Sequence, residues 1–244
     1  MTLETLNLTK SFGGLCAVDG VSFTASTGEL TCITGPNGAG KTTVFNLLTG
    51  FYAPDAGRVL LDGRDITRLS PAARAREGVT RTFQNIRLLD ELSALDNLTT
   101  AMHGELNGSL IDTLLPTRRR SQALAQAQAF AREQLAFLGL EAYADMPAGK
   151  MPYGARKSLE IARCLCMKPR LMLLDEPASG LNTQEAFELG RMIQQLNKSE
   201  IIIVVIEHNM ALVRQIADRV IHVEGGHVKY ALGQGEWLGQ AETD

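Results

Sequence analysis

Residues 35–42 form a glycine-rich stretch that ends in lysine and threonine, Gly-Pro-Asn-Gly-Ala-Gly-Lys-Thr. This spacing is typical of a loop that wraps phosphate groups, because glycines let the backbone curl until its N–H groups point at phosphate oxygens. We expect the amine of Lys41 to reach the outer phosphates and the hydroxyl of Thr42 to bind Mg²⁺. The motif predicts a nucleoside triphosphate as ligand, but by itself it does not separate kinases, GTPases and ATPases.

Two acidic side chains, Asp175 and Glu176, directly follow the apolar residues 171–174. A short apolar run is typical of a strand buried on both faces, and ligands of parallel sheets bind at the carboxyl ends of the strands. We therefore expect Asp175 to hold Mg²⁺ through water and Glu176 to polarise the attacking water as a general base. The alternative is that both acids only face solvent at the end of a strand.

A histidine and a glutamine follow two further predicted strands. His208 comes soon after the aliphatic residues 201–206, and Gln84 comes directly after residues 80–83. We expect His208 to contact the γ-phosphate and to hold the water in line with Glu176, although a histidine at a strand end is commonly structural. Gln84 could reach Mg²⁺ or the water, and its position alone does not establish a role.

The elements that position these side chains alternate between strands and helices, which predicts an α/β domain with a parallel sheet. Alternating residues near the start predict N-terminal strands, with Leu6 and Leu8 on one face of the first and Val21 and Phe23 in the second. The other predicted strands span residues 30–33, 59–61, 80–83, 171–174, 201–206 and 220–223. Predicted helices span residues 40–48, 71–77, 153–167, 184–196 and 210–217.

The middle of the chain differs, since two helices are predicted there, at residues 95–105 and 118–138, joined by a loop at 106–117. In the second helix an apolar stripe recurs at three- and four-residue steps, with polar residues opposite. Its members are Leu124, Ala127, Ala131, Leu135 and Leu138. We interpret this stretch as a helical insertion into the α/β domain, and residues 233–244 as a polar tail.

Composition excludes several classes of function. The 244 residues carry a net charge of −3, which disfavours nucleic acid as the main partner because that binding needs many cations. The longest aliphatic run, residues 201–206, is far shorter than the roughly 20 residues that cross a bilayer, and the start of the chain lacks the apolar core of a signal peptide. The four cysteines lack the paired spacing of a zinc site. We therefore expect a cytoplasmic chain with reduced thiols.

Taken in order, these motifs resemble those of the nucleotide-binding subunits of ATP-binding cassette (ABC) transporters. The shared motifs are residues 35–43, 82–85, 151–156, 171–177 and 179–182 and the pair Glu207-His208. The resemblance extends over residues 3–232 and implies a P-loop NTPase, an α/β fold with a mostly parallel sheet, N-terminal antiparallel strands and an inserted α-helical subdomain. The implied boundaries are a RecA-like core at about 1–86 and 155–225, a helical subdomain at about 87–154 and a short tail at 233–244.

The resemblance assigns roles to residues around the nucleotide. Phe12 is implied to stack on adenine, and the phosphate loop is implied to bind ATP together with Mg²⁺. The loop residues are Gly35, Pro36, Asn37, Gly38, Ala39, Gly40, Lys41, Thr42 and Thr43. The implied catalytic residues are Glu176, His208 and Gln84, and the implied metal ligands are Thr42, Gln84 and Asp175.

The family also implies two nucleotide-binding domains that close head to tail, the second being an identical or a paralogous chain. Each ATP then lies between the phosphate loop of one domain and the signature loop of the other. The signature loop corresponds to Pro152, Tyr153, Gly154 and Ala155, with Pro152 where the common form has serine. The loop between the domains corresponds to Ser179, Gly180 and Asn182. Asn182 replaces a common aspartate but can still hydrogen-bond across the dimer, so we expect slower coupling and not a loss of activity.

Further stretches are similar to the ATPases of branched-chain amino acid importers, among them residues 12–15, 41–46, 48–52, 81–84, 152–154 and 159–164. This branch implies two transmembrane permease subunits that hold the chain at the cytoplasmic face of the membrane, and a substrate-binding protein outside it. Residues 236–239 stand in place of the final helix and tyrosine-leucine motif of the branch. The cargo therefore stays open, with import of urea or an amide, or export of lipopolysaccharide, as alternatives.

Two further possibilities lie outside transport. A non-transport ATP-dependent clamp or regulator usually has two cassettes or a long coiled coil, and this sequence has neither. A nucleotide sensor without catalysis is disfavoured because the residues that hydrolysis needs are all present. Those residues are Lys41, Gln84, Asp175, Glu176 and His208.

Overall fold

The computed structural model of the protein describes residues 1–102, 118–233 and Glu236. Its strands are β1 Thr2–Phe12, β2 Leu15–Ser26, β3 Thr31–Thr34, β4 Ala56–Leu61, β5 Arg64–Asp65, β6 Val79–Arg81, β7 Leu171–Asp175, β8 Ile202–Ile206, β9 Arg219–Glu224 and β10 His227–Gly233. Its α-helices are α1 Lys41–Thr49, α2 Pro71–Arg76, α3 Ala94–Ala101, α4 Arg118–Phe137, α5 Tyr153–Cys166, α6 Thr183–Leu196 and α7 Met210–Ile216. Short 3₁₀ turns lie at Glu141–Tyr143 and Ala148–Lys150.

The chain forms two compact units. We call Met1–Gln84 with Arg170–Asp244 the core unit and Asn85–Pro169 the helical unit. The sequence-based boundary near residue 154 assigns α5 to the core, whereas the structure groups this helix with α3 and α4. The reason is packing, because the buried face of α5 belongs to the same apolar cluster as those two helices.

A six-stranded sheet in the order β10-β9-β3-β8-β7-β6 forms the centre of the core unit. Only β10 runs antiparallel to its neighbour, which confirms the predicted mostly parallel sheet. β3, β7 and β8 are buried along their whole length, as expected for strands covered on both faces. At their carboxyl ends, Ile206 is paired with both Ile33 and Asp175, so the residues that follow these strands meet at one edge.

A four-stranded antiparallel sheet in the order β2-β1-β4-β5 also belongs to the core unit and confirms the predicted N-terminal antiparallel strands. The predicted common face of Leu6 and Leu8 is wrong, because Leu8 is buried and Leu6 is 38% exposed. Asn7, between them, lies in the left-handed region with φ 48°, and the pairing of β1 shifts register between Thr5 and Leu8. This β-bulge moves the side chains beyond it to the other face of the sheet.

The helical unit is built around α3, α4 and α5. On α4, Ala127, Ala131 and Leu135 are buried, and Leu138 packs partly against this cluster, as the periodicity predicts. Leu124 is predicted on the same stripe but is 41% exposed. The 20 residues of α4 extend over about 30 Å and the 8 residues of α3 over about 12 Å, so α3 covers only part of the stripe.

Some predicted and observed elements differ at the ends of segments. The sequence does not predict β10, which pairs with β9 through a turn at Gly225 and Gly226, both of which have positive φ. α3 ends at Ala101, and the predicted helical residues 103–105 lie outside the described residues. The predicted loop at 106–117 and residues 234–235 and 237–244 of the predicted tail also lie outside them.

The cysteines of the chain carry free thiols. Cys32, Cys164 and Cys166 are buried free thiols, and Cys16 is exposed. Burial raises the pKa of the Cys166 thiol to about 12, which keeps it protonated and unreactive near neutral pH.

Within residues 1–102 and 118–233, no helix combines the length and the apolar character that crossing a membrane requires.

Candidate functional site

Residues 35–42 connect the end of β3 to the start of α1, as the sequence predicts. Gly35 has φ 140° and Gly40 has φ 102°, and neither position has room for a side chain. A Cβ atom at Gly35 would lie 1.9 Å from the carbonyl oxygen of Val223, and one at Gly40 would lie 2.3 Å from that of Ala17. The course of the loop therefore requires glycine at both positions.

The middle of the phosphate loop is exposed, and the loop leads directly into the start of α1. Pro36, Asn37 and Gly38 are exposed, and Ala39 is buried beneath them. Gly40 is the N-cap of α1 and provides no side-chain acceptor, and no acidic residue lies in the first turn. The first N–H groups of the helix and its positive dipole end are thus suited to an anion. In this turn the residue Thr42 is exposed and Thr43 is half-buried.

The side chain of Lys41 lies inside the phosphate loop, and the residue is only 6% exposed. Its Nζ donates to the carbonyl oxygen of Gly35 at 2.8 Å and to that of Pro36 at 2.9 Å. Burial lowers the pKa of this amine, and the nearby carboxylates of Glu176 and Asp175 oppose the shift. The amine is therefore close to the loop backbone and to both predicted acidic residues, where it can meet a polyphosphate.

The far end of α1 is held by Arg74, a buried residue that the sequence analysis does not single out. Arg74 is 1% exposed, and its Nη1 donates to the carbonyl oxygens of Leu47 at 2.5 Å and Leu48 at 2.6 Å, in the last turn of the helix. Burial lowers the pKa of its guanidinium to about 10, so it stays charged at neutral pH. A cation here satisfies carbonyls that helices leave unpaired and fixes the helix that begins at the phosphate loop.

Asp175, at the end of β7, forms an ion pair with Arg81, and both side chains are less than a tenth exposed. Nη2 of Arg81 lies 2.6 Å from Oδ2 of Asp175, and Nη1 lies 2.6 Å from Oδ1 of Asn46 in α1. The guanidinium carbon also lies 5.5 Å from the ring centroid of Phe45 and 5.4 Å from that of Phe83. Arg81 is a site residue that the motifs do not indicate, because it lies within a predicted strand and its partners are distant in the sequence.

Glu176 lies between the other two side chains that the sequence predicts to be catalytic. Nε2 of Gln84 donates to Oε2 of Glu176 at 3.0 Å, and Nδ1 of His208 lies 3.8 Å from Oε1. The backbone of Glu176 has φ 46°, a left-handed conformation that costs a non-glycine residue roughly 1–3 kcal/mol. Its N–H donates to the carbonyl oxygen of Ile206 at 2.9 Å, which holds this conformation. The structure brings the three side chains together, and their roles stay predictions.

Phe12, the predicted adenine contact, ends β1 and is 42% exposed. Its ring centroid lies 5.1 Å from that of Tyr52, with an angle of 68° between the rings. Nζ of Lys10 lies 5.6 Å from the Phe12 ring centroid and 2.7 Å from Oδ1 of Asp55. These contacts orient an exposed aromatic ring, which suits stacking against a base.

The predicted signature residues begin α5 in the helical unit. Pro152 is the N-cap and provides no side-chain acceptor, while Gly154 and Ala155 are half-buried in the first turn. Tyr153 is 44% exposed, and Nζ of Lys157 lies 5.8 Å from its ring centroid. The proline at this position leaves the helix intact, because proline lacks only an N–H that has no partner at a helix start.

The predicted loop between domains follows Glu176 in the core unit. The N–H of Ser179 donates to the carbonyl oxygen of Glu176 at 3.0 Å, and Gly180 is exposed with φ 81°. Asn182 is the N-cap of α6, and its Oδ1 accepts from the N–H of Glu185 at 3.0 Å, while Oε2 of Glu185 accepts from the N–H of Asn182 at 3.0 Å. These two reciprocal bonds form a capping box, which the Asn-x-x-Glu spacing of residues 182–185 indicates.

Glu207 is a further residue whose importance the motifs do not indicate, because they assign a role only to its neighbour His208. It is 0% exposed, and three backbone N–H groups donate to its carboxylate. A buried acid after a wholly aliphatic strand was the available signal, since such a charge must find hydrogen-bond partners.

The sequence of the chain is similar to those of known proteins. The sequence profile of the ABC transporter family matches residues 18–179. Over 225 residues, 92% of this chain and 88% of the relative, the chain is 42% identical to BraF of Pseudomonas aeruginosa, a high-affinity branched-chain amino acid transport ATP-binding protein. LivG of Escherichia coli K12, which carries the same description, is 42% identical over the same shares.

Solved structures show the same fold. An ATP-binding cassette of an ABC transporter in its ADP conformation superposes with a TM-score of 0.86 at 31% identity, covering 100% of this chain and 96% of that one. A nucleotide-free cassette from an ABC transporter gives a TM-score of 0.85 at 31% identity, with the same coverage.

Proposed function

The chain belongs to the ABC transporter family, in which ATP hydrolysis drives transport, and we propose that this chain powers the import of branched-chain or related amino acids. The observation that carries the proposed cargo is the 42% identity to BraF and LivG over 92% of the chain. Both relatives are described as high-affinity branched-chain amino acid transport ATP-binding proteins.

ATP binds with its phosphates in the loop at residues 35–42 and its adenine against Phe12. Three features of the core unit support this assignment: a loop whose course requires glycine at two positions, the Lys41 amine bonded to that loop, and the exposed ring that Tyr52 orients. The start of α1 adds backbone N–H groups and a favourable dipole for the outer phosphates.

The side chains near the end of β7 fit Mg²⁺ as the ion that accompanies ATP. The hydroxyl of Thr42, the carboxylate of Asp175 and the side-chain carbonyl of Gln84 are oxygen ligands, which Mg²⁺ prefers. The fit is supported by the fixed orientation of Asp175, whose Oδ2 is held by Arg81 and whose backbone N–H donates to Oγ1 of Thr82 at 3.1 Å. When bound, Mg²⁺ would neutralise part of the charge on the phosphates.

Glu176 acts as the general base that takes a proton from the attacking water. The hydrogen bond from Gln84 to Oε2 fixes the plane of this carboxylate, and His208 lies on the side of Oε1. From there the imidazole can donate to the γ-phosphate while the water is held in line with it. Gln84 and His208 thus restrict where the base, the water and the phosphate can lie relative to each other.

Two such chains, identical or paralogous, close head to tail around ATP. In this arrangement residues 152–155 of one chain contact the nucleotide held by residues 35–42 of the other. The start of α5 supports this role, because Pro152 provides no side-chain cap, the first turn carries no acidic residue, and the positive dipole end of the helix favours an anion. Closure of this kind requires Tyr153, Gly154 and Ala155 to contribute mainly through their backbone.

The complete transporter then contains two transmembrane permease subunits, which hold this chain at the cytoplasmic face of the membrane, and a substrate-binding protein on the other side. The descriptions of BraF and LivG as transport ATP-binding proteins support this assembly. ATP closes the pair of cassettes, hydrolysis reopens it, and the permeases convert that motion into transport of the amino acid.

Uptake of labelled leucine tests the proposal. Cells that lack this chain are supplied with the wild-type chain or with Lys41→Ala, and uptake is compared with that of labelled urea. We expect the wild-type chain, and not the variant, to restore leucine uptake. If cells that lack this chain lose urea uptake or lipopolysaccharide assembly but keep leucine uptake, the proposed cargo is wrong and the affected compound takes its place. Purification with ribosomes or nucleic acid in place of membrane subunits would contradict a role in transport.

A further inference from the structure

Glu207 is a fully buried carboxylate that accepts hydrogen bonds from two separate stretches of backbone. Oε1 accepts from the N–H of Ala178 at 2.9 Å. Oε2 accepts from the N–H of His208 at 3.0 Å and from that of Asn209 at 3.1 Å. Each carboxylate oxygen therefore holds a different loop, one after β7 and one after β8.

The carboxylate of Glu207 lies just beyond the point where the backbone hydrogen bonds between β7 and β8 end. The β7–β8 ladder ends with the pair Asp175 and Ile206, and the last backbone bond across it runs from Glu176 to Ile206. Beyond that point the side chain of Glu207 spans the gap between the strand ends. Its own N–H donates to the carbonyl oxygen of Ile33 at 3.2 Å, so it is anchored to the strand that leads into the phosphate loop.

The two loops that Glu207 joins both lead to the proposed reaction centre. His208 lies 3.8 Å from Glu176 through Nδ1 and Oε1. Ala178 begins the stretch 178–182, and the family resemblance places residues 179–182 of this stretch between the two cassettes. The N–H of Ser179 donates to the Glu176 carbonyl. A shift of either loop would therefore change the distance between the base and the histidine.

We propose that Glu207 is a positioning residue for ATP hydrolysis, which fixes His208 and the 178–182 stretch relative to Glu176 without contacting ATP. This inference rests on the proposed ATPase function of the same site. Glu207 sets the turnover rate, because it determines the geometry of the reacting groups. Nucleotide affinity depends instead on the phosphate loop.

A carboxylate is required because both oxygens must accept. Glutamine has the same shape but only one accepting oxygen, and its NH₂ group would face N–H donors on the other side. Glu207→Gln therefore keeps either the Ala178 bond or the bonds from His208 and Asn209, but not both. It also replaces charge-assisted hydrogen bonds by weaker neutral ones.

The test compares steady-state ATP hydrolysis by the purified full-length wild-type chain, Glu207→Gln and a matched control, Asp218→Asn. Asp218 also uses a carboxylate oxygen to accept a backbone N–H, that of Leu30 at 2.8 Å, but it lies at the start of β9, away from the strand ends that carry the site. We expect kcat of Glu207→Gln to fall about tenfold, as for the loss of one aligning interaction, with KM for ATP within about twofold. Asp218→Asn should keep kcat even if its midpoint of thermal unfolding falls equally.

A double variant distinguishes positioning from general loosening. Because Glu207 holds His208 as well as the stretch 178–182, adding Glu207→Gln to His208→Ala should lower kcat by less than it does in the wild-type chain, since one of the groups being positioned is already absent. Equal activity of Glu207→Gln and wild type, or full additivity in the double variant, would overturn the inference. If Glu207→Gln does not fold, Glu207→Asp, whose shorter side chain cannot reach both loops, carries the same comparison. A wild-type chain that hydrolyses no ATP would instead contradict the proposed function.

Discussion

Nη2 of Arg81 lies 2.6 Å from Oδ2 of Asp175, so the carboxylate proposed to bind Mg²⁺ also holds a buried guanidinium. The same guanidinium reaches Asn46 in the helix that begins at the phosphate loop. Arg81 thus connects the end of β7 to α1 and orients both. Its charge also offsets that of Asp175, with which it forms a direct buried ion pair.

Removing this guanidinium should destabilise the protein, because it leaves Asp175 and Asn46 without their shared partner. For Arg81→Met we expect the free energy of unfolding in urea to fall by about 3 kcal/mol, the cost of breaking a buried ion pair. Addition of Mg²⁺ with ATP should recover more stability in this variant than in wild type, since the cation can then offset the charge of Asp175. The control is Arg64→Met, which removes an exposed partner of Glu77 and should cost less than about 1 kcal/mol. Equal losses in the two variants would contradict this role of Arg81.

Lys41→Ala should weaken nucleotide binding without unfolding the chain. The variant removes the amine that lies within the phosphate loop and leaves the backbone N–H groups in place. We expect the dissociation constant of a fluorescent ATP analogue to rise at least about tenfold, corresponding to one lost charge-assisted contact of about 1.4 kcal/mol. Lys198→Ala, at an exposed position after α6, serves as the surface control. Unchanged affinity in Lys41→Ala would show that the phosphates bind elsewhere.

Gly35→Ala should damage both stability and binding. The added Cβ would lie 1.9 Å from the carbonyl oxygen of Val223. The alanine would also have to adopt a backbone conformation with φ 140°, which is unfavourable for a residue with a side chain. We expect a loss of about 2 kcal/mol or more in the free energy of unfolding, together with loss of ATP binding. Gly63→Ala isolates the conformational part, because Gly63 has φ 74° and no atom within 4 Å of an added Cβ. That control should lose only about 1 kcal/mol and bind ATP normally.

Glu160 predicts a pH dependence of stability in the helical unit. This residue is 2% exposed, and burial raises the pKa of its carboxyl above the ordinary value of 4.5, although the N–H of Arg87 donates to it. Between the ordinary pKa and the raised pKa of the folded protein, the folded state binds more protons than the unfolded state. The contribution of Glu160 to stability therefore falls as pH rises through this interval. Glu160→Gln should therefore become more stable relative to wild type as pH rises from 4.5 through the raised pKa of the folded state, and the difference should then stay constant, measured by urea unfolding.

Asp55 provides a control of opposite sign for that experiment. Hydrogen bonds from Lys10 and from the backbone of Ser11 lower the pKa of its carboxyl below the ordinary value of 3.8. Its contribution to stability is present above that value and is lost as pH falls through the folded value. Asp55→Asn should therefore lose stability at neutral pH and approach wild type in acid. A Glu160→Gln curve parallel to wild type at all pH values would contradict the assignment.

The sequence predicts the positions of the candidate site residues where motif spacing is distinctive, and their roles stay predictions. The phosphate loop, the acids at the end of β7 and His208 after β8 lie where their motifs indicate, because a parallel sheet brings the carboxyl ends of its strands to one edge. The sequence predicts less where a residue acts through tertiary contacts. Arg81 looks like an ordinary strand residue until its guanidinium is seen between Asp175 and Asn46.

Local backbone irregularity and helix length limit the prediction of the fold in a similar way. Leu6 follows the alternation of a regular strand, but the left-handed conformation of Asn7 inserts a bulge beside it. Leu124 continues the apolar stripe of α4 but is 41% exposed. Asn182 matches a family position, yet its local hydrogen bonds with Glu185 are set by the start of α6. Hydrophobic periodicity carries no information about a bulge or about the length of a neighbouring helix, whereas the Asn-x-x-Glu spacing does indicate the capping bonds of Asn182.

The central claim is that Glu176 is the base for ATP hydrolysis, and the most direct test is single-turnover hydrolysis by Glu176→Gln. The substituted amide keeps the shape of the side chain and can still accept from Gln84, but it cannot take a proton from water. Glu188→Gln, an exposed position on α6, is the control. We predict that Glu176→Gln binds ATP as tightly as wild type and hydrolyses it at least about 100-fold more slowly. Turnover at the wild-type rate in this variant would contradict the account.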